Sequence, residues 1–443
     1  MFEMKSVRSK WIVSIPYNWN LKRLKYCVKE MCSGGTPETA DNLYYDDENG
    51  IPWVAISDMS SCDYIENTSK KVTKEGMRSK RLKVFPKGTL LYSIFATIGK
   101  VSILNVNATF NQALLAIVPQ KILDNSYLKF CLKGMEEYVL SESSTNTQSN
   151  LNSTKVNNFV IPLPNIKEQR LIADFLNEKV DIIDNIICGL DNQIEILNKY
   201  KKQLISEVAI KGLNKKVAMK DSGVEWIGSI PEHWNIKLIK NICSLKGRIG
   251  WEGLTKDEYI SEGPTLITGI NFDNGSINWD SCEHVSDWRY NQDKSIQIKN
   301  KDLLITKDGT VGKVAIVKDC PEKVTLNSGV LLLRPLSNEY VEKYLYYVLL
   351  SNEFWHWFEI ENIGNTTIIH LYQNRFAKFK LALPPINEQK EIVNYLDKKC
   401  SEIEELLNSK IQQKEQMEQY KKSVIYEYVT GKKRLEGAEE LYG

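Results

Sequence analysis

The chain has 443 residues, of which 42% are hydrophobic and 26% are charged, and this composition is ordinary for a globular protein. No apolar run approaches the roughly 20 residues that a membrane-spanning helix needs, and the opening MFEMKSVRSK lacks the apolar stretch of a signal peptide. Nine scattered cysteines without a Cys-x-x-Cys pair argue against zinc and disulfide frameworks, and the net charge of +2 lacks the basic excess of a simple nucleic-acid-binding domain. We therefore expect a cytoplasmic, multi-domain protein without a membrane segment.

The first half begins with the short motif SIPYNWN at residues 14–20. Runs rich in β-branched or aromatic residues follow at 50–59, 90–105 and 113–119, each bounded by Gly, Pro, Asn or Asp, and a helix is predicted at about 125–140. This pattern predicts a mixed α+β globule with exposed loops.

A long helix is predicted after the phrase IPLPNIKEQ at residues 161–169. Asn165 and Glu168 resemble an N-cap and its capping-box partner, and no proline lies between Pro164 and Gly212. Apolar residues then recur in alternating steps of four and three, which is the seam of a coiled coil. The seam comprises Leu176, Val180, Ile183, Ile187, Leu190, Ile194, Leu197, Leu204 and Val208.

The second half repeats these landmarks in the same order, at offsets that drift only from 213 to 220 residues. The matching segments are SIPEHWN at 229–235, LLITKDGTVGKV at 303–314 (against LLYSIFATIGKV at 90–101), LALPPINEQ at 381–389 and YKK at 420–422 (against YKK at 200–202). The chain is therefore an internal duplication, with a shared frame and divergent regions between the landmarks.

The second long helix is more polar than the first. Lys410, Lys414 and Lys421 interrupt its apolar seam. Because such a helix would be marginal alone, we infer that the two long helices pack against each other. The residues expected to pack the helices or contact a partner are Glu168, Gln169, Leu176, Val180, Ile183, Ile187, Leu190, Ile194, Leu197, Glu388, Gln389, Leu396, Ile403 and Leu407.

No self-contained catalytic site emerges from the sequence. The segment GTVGKV at 309–314 fails as a P-loop, because Lys307 stands where a glycine is needed and Val314 where Ser or Thr is needed. The four histidines have no metal-ligand spacing, and the Asn-Pro-Pro-aromatic loop of adenine methyltransferases is absent. We expect no bound metal and no catalytic residue in this chain.

The remaining polar motifs suit DNA recognition. Glycine-rich turns let backbone amides approach phosphates, while Arg, Lys, Asn and Gln can read base edges. The candidates are Ser33, Gly34, Gly35, Thr36, Thr97, Lys100, Thr147, Gln148, Arg248, Trp251, Lys307, Thr310, Lys313, Asn365 and Thr366. For each of these residues, an ordinary structural turn is the alternative interpretation.

The duplicated halves, each opening with SIP-x-x-W and closing with L-P-x-I-x-E-Q before a long helix, resemble the specificity subunit of type I restriction-modification systems. GGTPE before GIPWVAISDM, and GRIGWEGL before PTLITGINF, look like the openings of two recurrent kinds of target recognition domain. The resemblance implies two mixed α/β target recognition domains separated by two long antiparallel coiled-coil helices, with pseudo-two-fold symmetry. The implied division is domain 1 at 1–164, a central helix at 165–212, a linker and domain 2 at 213–384, a C-terminal helix at 385–432 and a tail at 433–443.

In function, the resemblance implies that each domain reads one half of a split, asymmetric DNA site, while the helices set the unread spacer. The implied partners are double-stranded DNA, two modification subunits and restriction subunits, which would carry S-adenosylmethionine, ATP and Mg, so that this chain needs no cofactor. A specificity subunit of a type II-like enzyme, a cryptic nuclease or methyltransferase, and a coiled-coil scaffold without nucleic acid are the alternatives.

Overall fold

A computed structural model describes residues 3–59, 63–144, 151–248, 254–337, 339–362 and 370–436, and the chain divides into two compact units. The first unit comprises residues 1–191 and 412–443, and the second comprises residues 192–411. Each unit contains one globule and a stretch of both long helices.

The first globule is built from short strands and small helices. Its strands are β1 (Met4–Ser6), β2 (Ser14–Pro16), β3 (Asn20–Arg23), β4 (Val28–Ser33), β5 (Ile51–Val54), β6 (Tyr64–Ile65), β7 (Lys70–Val72), β8 (Leu90–Ser93), β9 (Val101–Leu104), β10 (Thr109–Phe110), β11 (Leu114–Pro119) and β12 (Val160–Leu163). Its helices are α1 (Lys74–Ser79), α2 (Asn125–Gly134), α3 (Glu136–Ser144) and α4 (Ser153–Asn157), and the long helix α5 (Ile166–Lys211) follows them.

The second globule repeats this order with small differences. Its strands are β13 (Met219–Asp221), β14 (Ser229–Pro231), β15 (Asn235–Leu238), β16 (Cys243–Lys246), β17 (Ile260–Ile267), β18 (Phe272–Asp273), β19 (Ser276–Ile277), β20 (Glu283–His284), β21 (Leu303–Thr306), β22 (Val314–Ile316), β23 (Val324–Leu326), β24 (Val330–Pro335) and β25 (Lys380–Leu383). Its helices are α6 (Ile239–Ile242), α7 (Asp287–Asn291), α8 (Glu342–Leu350), α9 (Asn352–Glu361) and α10 (Gln373–Phe376), followed by the long helix α11 (Ile386–Val429).

The two globules share one sheet topology apart from the edge strand β6, which joins the main sheet of the first globule, although their sequences between the landmarks have little in common. The main sheet has the order β4-β11-β8-β9-β6 in the first globule and β16-β24-β21-β22 in the second. A smaller sheet has the order β10-β5-β7 in the first globule and β20-β17-β23 in the second. Its one parallel pair is β5 with β10 in the first globule and the equivalent pair, β17 with β23, in the second. The central strands β8 and β21 are fully buried, which explains their continuous apolar sequences. The predicted α+β duplication is thereby confirmed.

The two long helices run antiparallel within each unit. In the first unit, Asp184 bonds Lys421 at 2.6 Å and Asp191 bonds Lys414 at 2.7 Å, so the numbering rises along one helix as it falls along the other. In the second unit, Lys201 of α5 bonds Glu404 of α11 at 2.6 Å. Two of the three lysines that interrupt the seam of α11, Lys414 and Lys421, are therefore ion-pair partners for acids of α5.

Most of the apolar seam is buried between the helices or against the globules. The seam residues with at most 8% exposure are Leu176, Val180, Ile183, Leu190, Val208, Leu396, Cys400, Ile403 and Leu407. Ile187, Ile194, Leu197 and Leu204 are only partly buried.

The segments expected as linker and tail are structured over their described residues. Met219–Asp221 pairs with β14 in the same register as Met4–Ser6 pairs with β2. In the tail, the Arg434 guanidinium forms an ion pair with Glu168 of the first unit. Both segments thus belong to the folded frame.

Candidate nucleic-acid interface and the helix junctions

The repeated Glu-Gln pair forms a junction between globule and helix in the first unit. Asn165 caps α5 by accepting a hydrogen bond from the Glu168 amide at 2.9 Å. The Glu168 carboxylate, 1% exposed, accepts bonds from the Trp19 indole at 3.0 Å and from the Arg434 guanidinium at 2.8 Å. One buried carboxylate therefore ties together the leading SIPYNWN motif, the start of α5 and the residues after α11.

The neighbouring glutamine ties the same helix to the globule. The Gln169 amide nitrogen donates to the carbonyls of Ile122 and Pro164, both at 2.9 Å, and its oxygen accepts from the Asp124 amide at 2.8 Å. Gln169 is completely buried. Its side chain is thus a structural bridge and is not available to a partner subunit.

The second unit repeats this junction with one different ligand. The Trp234 indole donates to Glu388 at 3.1 Å, and Gln389 donates to the carbonyls of Pro384 and Glu339 at 2.8 and 2.9 Å. Where the first unit uses an arginine, the second uses His233, whose Nε2 lies 2.9 Å from the Glu388 carboxylate. The Glu388 side chain is 23% exposed, so this junction is more accessible to solvent than the first one.

A buried tyrosine closes each junction, and sequence reasoning missed both. The Tyr344 hydroxyl lies 2.9 Å from the Ala209 carbonyl at the end of α5 and 2.8 Å from the Ala382 carbonyl in β25. Tyr127 lies 3.2 Å from the equivalent carbonyls, those of Val429 and Pro162. Burial raises the pKa of Tyr344 well above its usual value, which keeps the donor protonated.

The matched turns TIGK and TVGK adopt the same conformation in the two globules. The Thr306 hydroxyl donates to the Thr310 carbonyl at 2.6 Å and accepts from the Lys313 amide at 2.9 Å. Ser93 makes the same two bonds, to the Thr97 carbonyl and from the Lys100 amide.

These turns present polar groups to solvent. Thr97, Thr310 and Lys313 are exposed, and Lys100 and Lys307 are partly exposed. His370 Nδ1 lies 2.5 Å from the Asp308 carboxylate beside the second turn. These five candidate residues therefore occupy two equivalent surface turns, one in each globule.

The candidates at the ends of β4 and β16 differ sharply. Ser33 is exposed, and Gly34, Gly35 and Thr36 are partly exposed. A Cβ added at Gly34 would lie 2.1 Å from the Phe110 carbonyl oxygen, so the backbone lies directly on β10.

Arg248 holds the place that Gly34 holds, as the strand registers show. Its Nε donates to the Leu326 carbonyl at 2.9 Å and its Nη2 to the Thr325 hydroxyl at 3.2 Å, and the residue is 2% exposed. The Arg248 guanidinium thus anchors β16 onto β23, and we correct its predicted role from DNA contact to anchoring. Thr147, Gln148, Trp251, Asn365 and Thr366 lie outside the described residues.

Over the described ranges, no group of three His, Cys, Asp or Glu side chains could hold a metal ion. In the same ranges, no helix is long and apolar enough to cross a membrane. Burial raises the pKa of the Cys243 thiol to about 12, which leaves it an unreactive neutral group.

Comparison with known proteins identifies the family. The model of the type I restriction modification DNA specificity domain matches the chain twice, at residues 18–196 and 231–413. The chain belongs to this family. Each match spans one globule and the first part of the long helix that follows it, so the repeat unit of the family is the repeat unit seen in the fold.

Several relatives of this specificity chain are known. The putative type I restriction enzyme MjaX specificity subunit of Methanocaldococcus jannaschii is 26% identical, and the match covers 98% of both chains. The type I restriction enzyme MjaVIII specificity subunit of the same organism is 27% identical over 71% of this chain and 72% of its own. The Escherichia coli EcoBI specificity subunit is 24% identical over 66% of this chain and 62% of its own.

A solved structure shares the fold of this specificity chain. It comes from work on complex assembly and conformational transition of the type I R-M system, and it matches with a TM-score of 0.71. Sequence identity to it is 16%, and the match covers 94% of this chain and 99% of the other.

Proposed function

We propose that this chain is the DNA-specificity subunit of a type I restriction-modification complex, in which each globule reads one half of a two-part DNA site. The observation that carries the proposal is the pair of globules with one topology and different surfaces, each attached by the same junction to a continuous long helix. Base contacts specify a sequence, whereas a frame only positions the reader. Two unlike surfaces on one frame would therefore read two unlike half-sites.

The long helices would set the distance between the half-sites. Half-sites read from one face of B-DNA are separated by about one helical turn, roughly 34 to 36 Å. Helix α5 has 46 residues, which at ~1.5 Å per residue gives about 69 Å of uninterrupted helix. This length exceeds one helical turn and leaves helix surface for partner subunits.

The chemistry would belong to the partners. We propose that two modification subunits dock on the helices and supply methylation from S-adenosylmethionine, and that restriction subunits supply ATP- and Mg-dependent translocation and cleavage. This chain would bind no cofactor and catalyse no step, and its cytoplasmic location stays a prediction. A type II-like partner is the second arrangement within the same family.

A globule exchange tests the reading of half-sites. Residues 229–384 would be replaced by the second recognition domain of another specificity subunit, and the methylome of a host carrying the modification partner would be sequenced. We expect one half of the methylated site to change and the other half to persist. A change in both halves, or in neither, would refute the assignment of one half-site to each globule.

A paired deletion tests the spacing function. Residues 184–190 of α5 face residues 415–421 of α11, as the Asp184–Lys421 and Asp191–Lys414 ion pairs indicate. Removing both segments keeps the remaining helix register and should shorten the unread spacer by about three base pairs, since seven residues span about 10.5 Å. Removing only residues 184–190 should instead abolish assembly. An unchanged spacer in an active paired deletion would refute the role of the helices.

A further inference from the structure

The stretch 70–87 of the first globule has an exceptional charge for a chain that is nearly neutral. It contains eight basic residues and one acidic residue, Glu75. The equivalent stretch of the second globule, 283–300, contains three of each. The equivalence is structural, because Thr73 and Ser286 both N-cap the short helix that follows, and β8 and β21 begin at matching positions.

Some of these basic side chains have partners within the globule. Lys83 forms an ion pair with Glu30 at 2.5 Å, and the Lys71 ammonium donates to the Glu48 carbonyl at 2.8 Å. Lys70 lies over the Tyr45 ring, 5.4 Å from its centroid. These three residues therefore have a structural role in the globule.

The other five, which include Lys87, are exposed and have no ion-pair partner among the described residues. Four of them lie close together in sequence: Lys74, Arg78, Lys80 and Arg81. They lie on α1 and on the turn that ends it. Unpaired like charges close together repel one another, so the fold gains nothing from collecting them. Such a cluster is explained by an anionic ligand.

The turn that carries the cluster is held in an unfavourable conformation. The Leu82 amide donates to the Met77 carbonyl at 2.8 Å and the Arg81 amide to the Arg78 carbonyl at 3.2 Å, which is the Schellman pattern at a helix end. Glycine usually occupies the left-handed position of this motif, yet here Arg81 occupies it with φ of 52°. An arginine is sterically disfavoured in this conformation, which favours a functional reason for its presence.

The cluster also lies beside the glycine-rich turn proposed to contact DNA. A Cβ added at Gly35 would lie 2.9 Å from the Leu82 side chain and 3.4 Å from the Lys80 Cβ. The glycine therefore permits close packing between the two loops. Lys80, the backbone at Gly35 and the neighbouring Thr36 hydroxyl lie on adjoining parts of one surface.

We propose that Lys74, Arg78, Lys80 and Arg81 form the phosphate-binding surface of the first globule, and that the corresponding positions of the second globule form no equivalent surface. The inference rests on the proposed DNA-reading function and adds to it. The corresponding positions of the second globule are Asp287, Asn291, Asp293 and Lys294, which together carry a net charge of −1. The two half-sites are thus held differently, the first with a large contribution from the DNA backbone.

The salt dependence of DNA binding tests the proposal. The sample is the full chain in complex with its modification subunits, and the probe is a duplex that carries the methylated site. Each phosphate contact adds about 0.9 to the slope of log affinity against log salt concentration. The triple variant Arg78→Gln, Lys80→Gln, Arg81→Asn should therefore lower the slope by about 2.7, because asparagine tolerates the left-handed position. Between 50 and 200 mM salt, the wild type should then lose about 40-fold more affinity than the variant.

A matched control distinguishes the effect of the cluster on the salt slope from the effect of the net charge of the globule. Lys22→Gln, Lys25→Gln, Lys29→Gln removes three exposed cations from the same globule outside the cluster. We expect this control to keep the wild-type slope, and we expect the cluster variant to keep the methylated sequence, since phosphate contacts carry no direct sequence information.

Three results would decide between the alternatives. An unchanged slope in the cluster variant, or an equal loss in the control, would overturn the phosphate-binding surface. A cluster variant whose methylated sequence changes would overturn the assignment to the DNA backbone. A wild-type complex that methylates no defined two-part site would instead refute the proposed function itself. Matching thermal unfolding curves for both variants would establish that neither is misfolded.

Discussion

The two junctions are alike except for one side chain, the cationic or imidazole partner of the glutamate at the repeated position, which is Arg434 in the first unit and His233 in the second. Glu168 is almost completely buried and takes its cation from Arg434, at the far end of the chain, whereas Glu388 is partly exposed and takes a histidine from the motif next to its tryptophan. The tryptophan, glutamine and tyrosine bonds are the same in both units. The duplication therefore preserves the bonds that orient each globule on its helix and allows the remaining ligand to change.

The same contrast holds inside the globules. Equivalent strands pair in equivalent registers, yet the position at the end of β4 is a glycine lying on β10 and its counterpart is an arginine bonded to β23. Since the strands are kept and the loop ends are not, surface loops can diverge without changing the frame that positions them.

The largest expected effect is at the first junction. Arg434→Met would leave the Glu168 carboxylate buried without its cation, and breaking a buried ion pair costs about 3 to 5 kcal/mol. His233→Gln in the second unit should cost less than about 1 kcal/mol, because its side chain is 48% exposed and water can replace it. Hydrogen exchange of amides in each globule would report the loss unit by unit. Equal effects of the two substitutions would refute the difference between the junctions.

The second effect concerns the paired positions Gly34 and Arg248. Gly34→Ala forces a Cβ against the Phe110 carbonyl and should cost about 1 to 3 kcal/mol through overpacking. Arg248→Met leaves the buried Leu326 carbonyl without its donor and should cost about 1 to 3 kcal/mol. Urea unfolding monitored in each globule measures both losses. A neutral Arg248→Met would show that the guanidinium does not anchor β16.

The parts of this fold that sequence could predict are those encoded locally or by repetition. The long helices, the strand-rich globules and the duplication follow from periodicity and from matched phrases such as those around Glu168 and Glu388. The Asn165 cap needed only the residues next to it. Such features depend on neighbours in sequence, and the physical rules for them are strong.

The parts that sequence could not predict depend on contacts between distant segments. Nothing local distinguishes the buried Arg248 from an exposed arginine in a glycine-rich turn, because its partners are 77 and 78 residues away. Arg434 and Glu168 are 266 residues apart, so their bond was invisible as well. The basic run at residues 70–87 was visible as composition, but its unpaired members were identifiable only from the fold.

A third effect depends on pH and concerns the ion pairs of Asp63 in the first unit. Burial tends to raise the pKa of Asp63, but the ammonium groups of Lys133 at 2.5 Å and Lys129 at 2.9 Å outweigh it and hold that pKa below its usual value. A depressed carboxyl pKa stabilises the fold above the unfolded value of about 3.9, and this stability is lost as the pH falls through the folded value. In the second unit, Gly275 packs against Tyr346 in the corresponding corner.

Asp63→Asn should therefore remove the acid-dependent part of the stability of the first globule. At neutral pH the variant should lose about 1 to 2 kcal/mol, because the buried Lys129 ammonium keeps Asn177 but loses a charged acceptor. Below about pH 3 the difference from wild type should shrink. A difference that is constant from pH 3 to pH 7 would contradict the ion-pair explanation.

The smallest effects are expected along the helix pair. Lys421–Asp184 in the first unit and Lys201–Glu404 in the second hold equivalent positions in the repeat, and all four side chains are at least one quarter exposed. Each pair should therefore contribute only about 0.2 to 1 kcal/mol, and Lys421→Gln and Lys201→Gln should have matching effects on thermal unfolding.

Charge reversal distinguishes stabilisation by the ion pair from stabilisation by burial of the apolar stem of the lysine. Lys421→Glu alone places two acids side by side and should destabilise the helix pair, whereas Lys421→Glu with Asp184→Lys should restore the stability within the error of a double-mutant cycle. The Asp191–Lys414 pair offers the contrast, since the repeat places Ile194 and Ile411 at the equivalent positions. Reversing that pair has no counterpart in the second unit. If reversal of Lys421 alone has no effect, the seam lysines act through their apolar stems, and the charges do not determine which helix faces which.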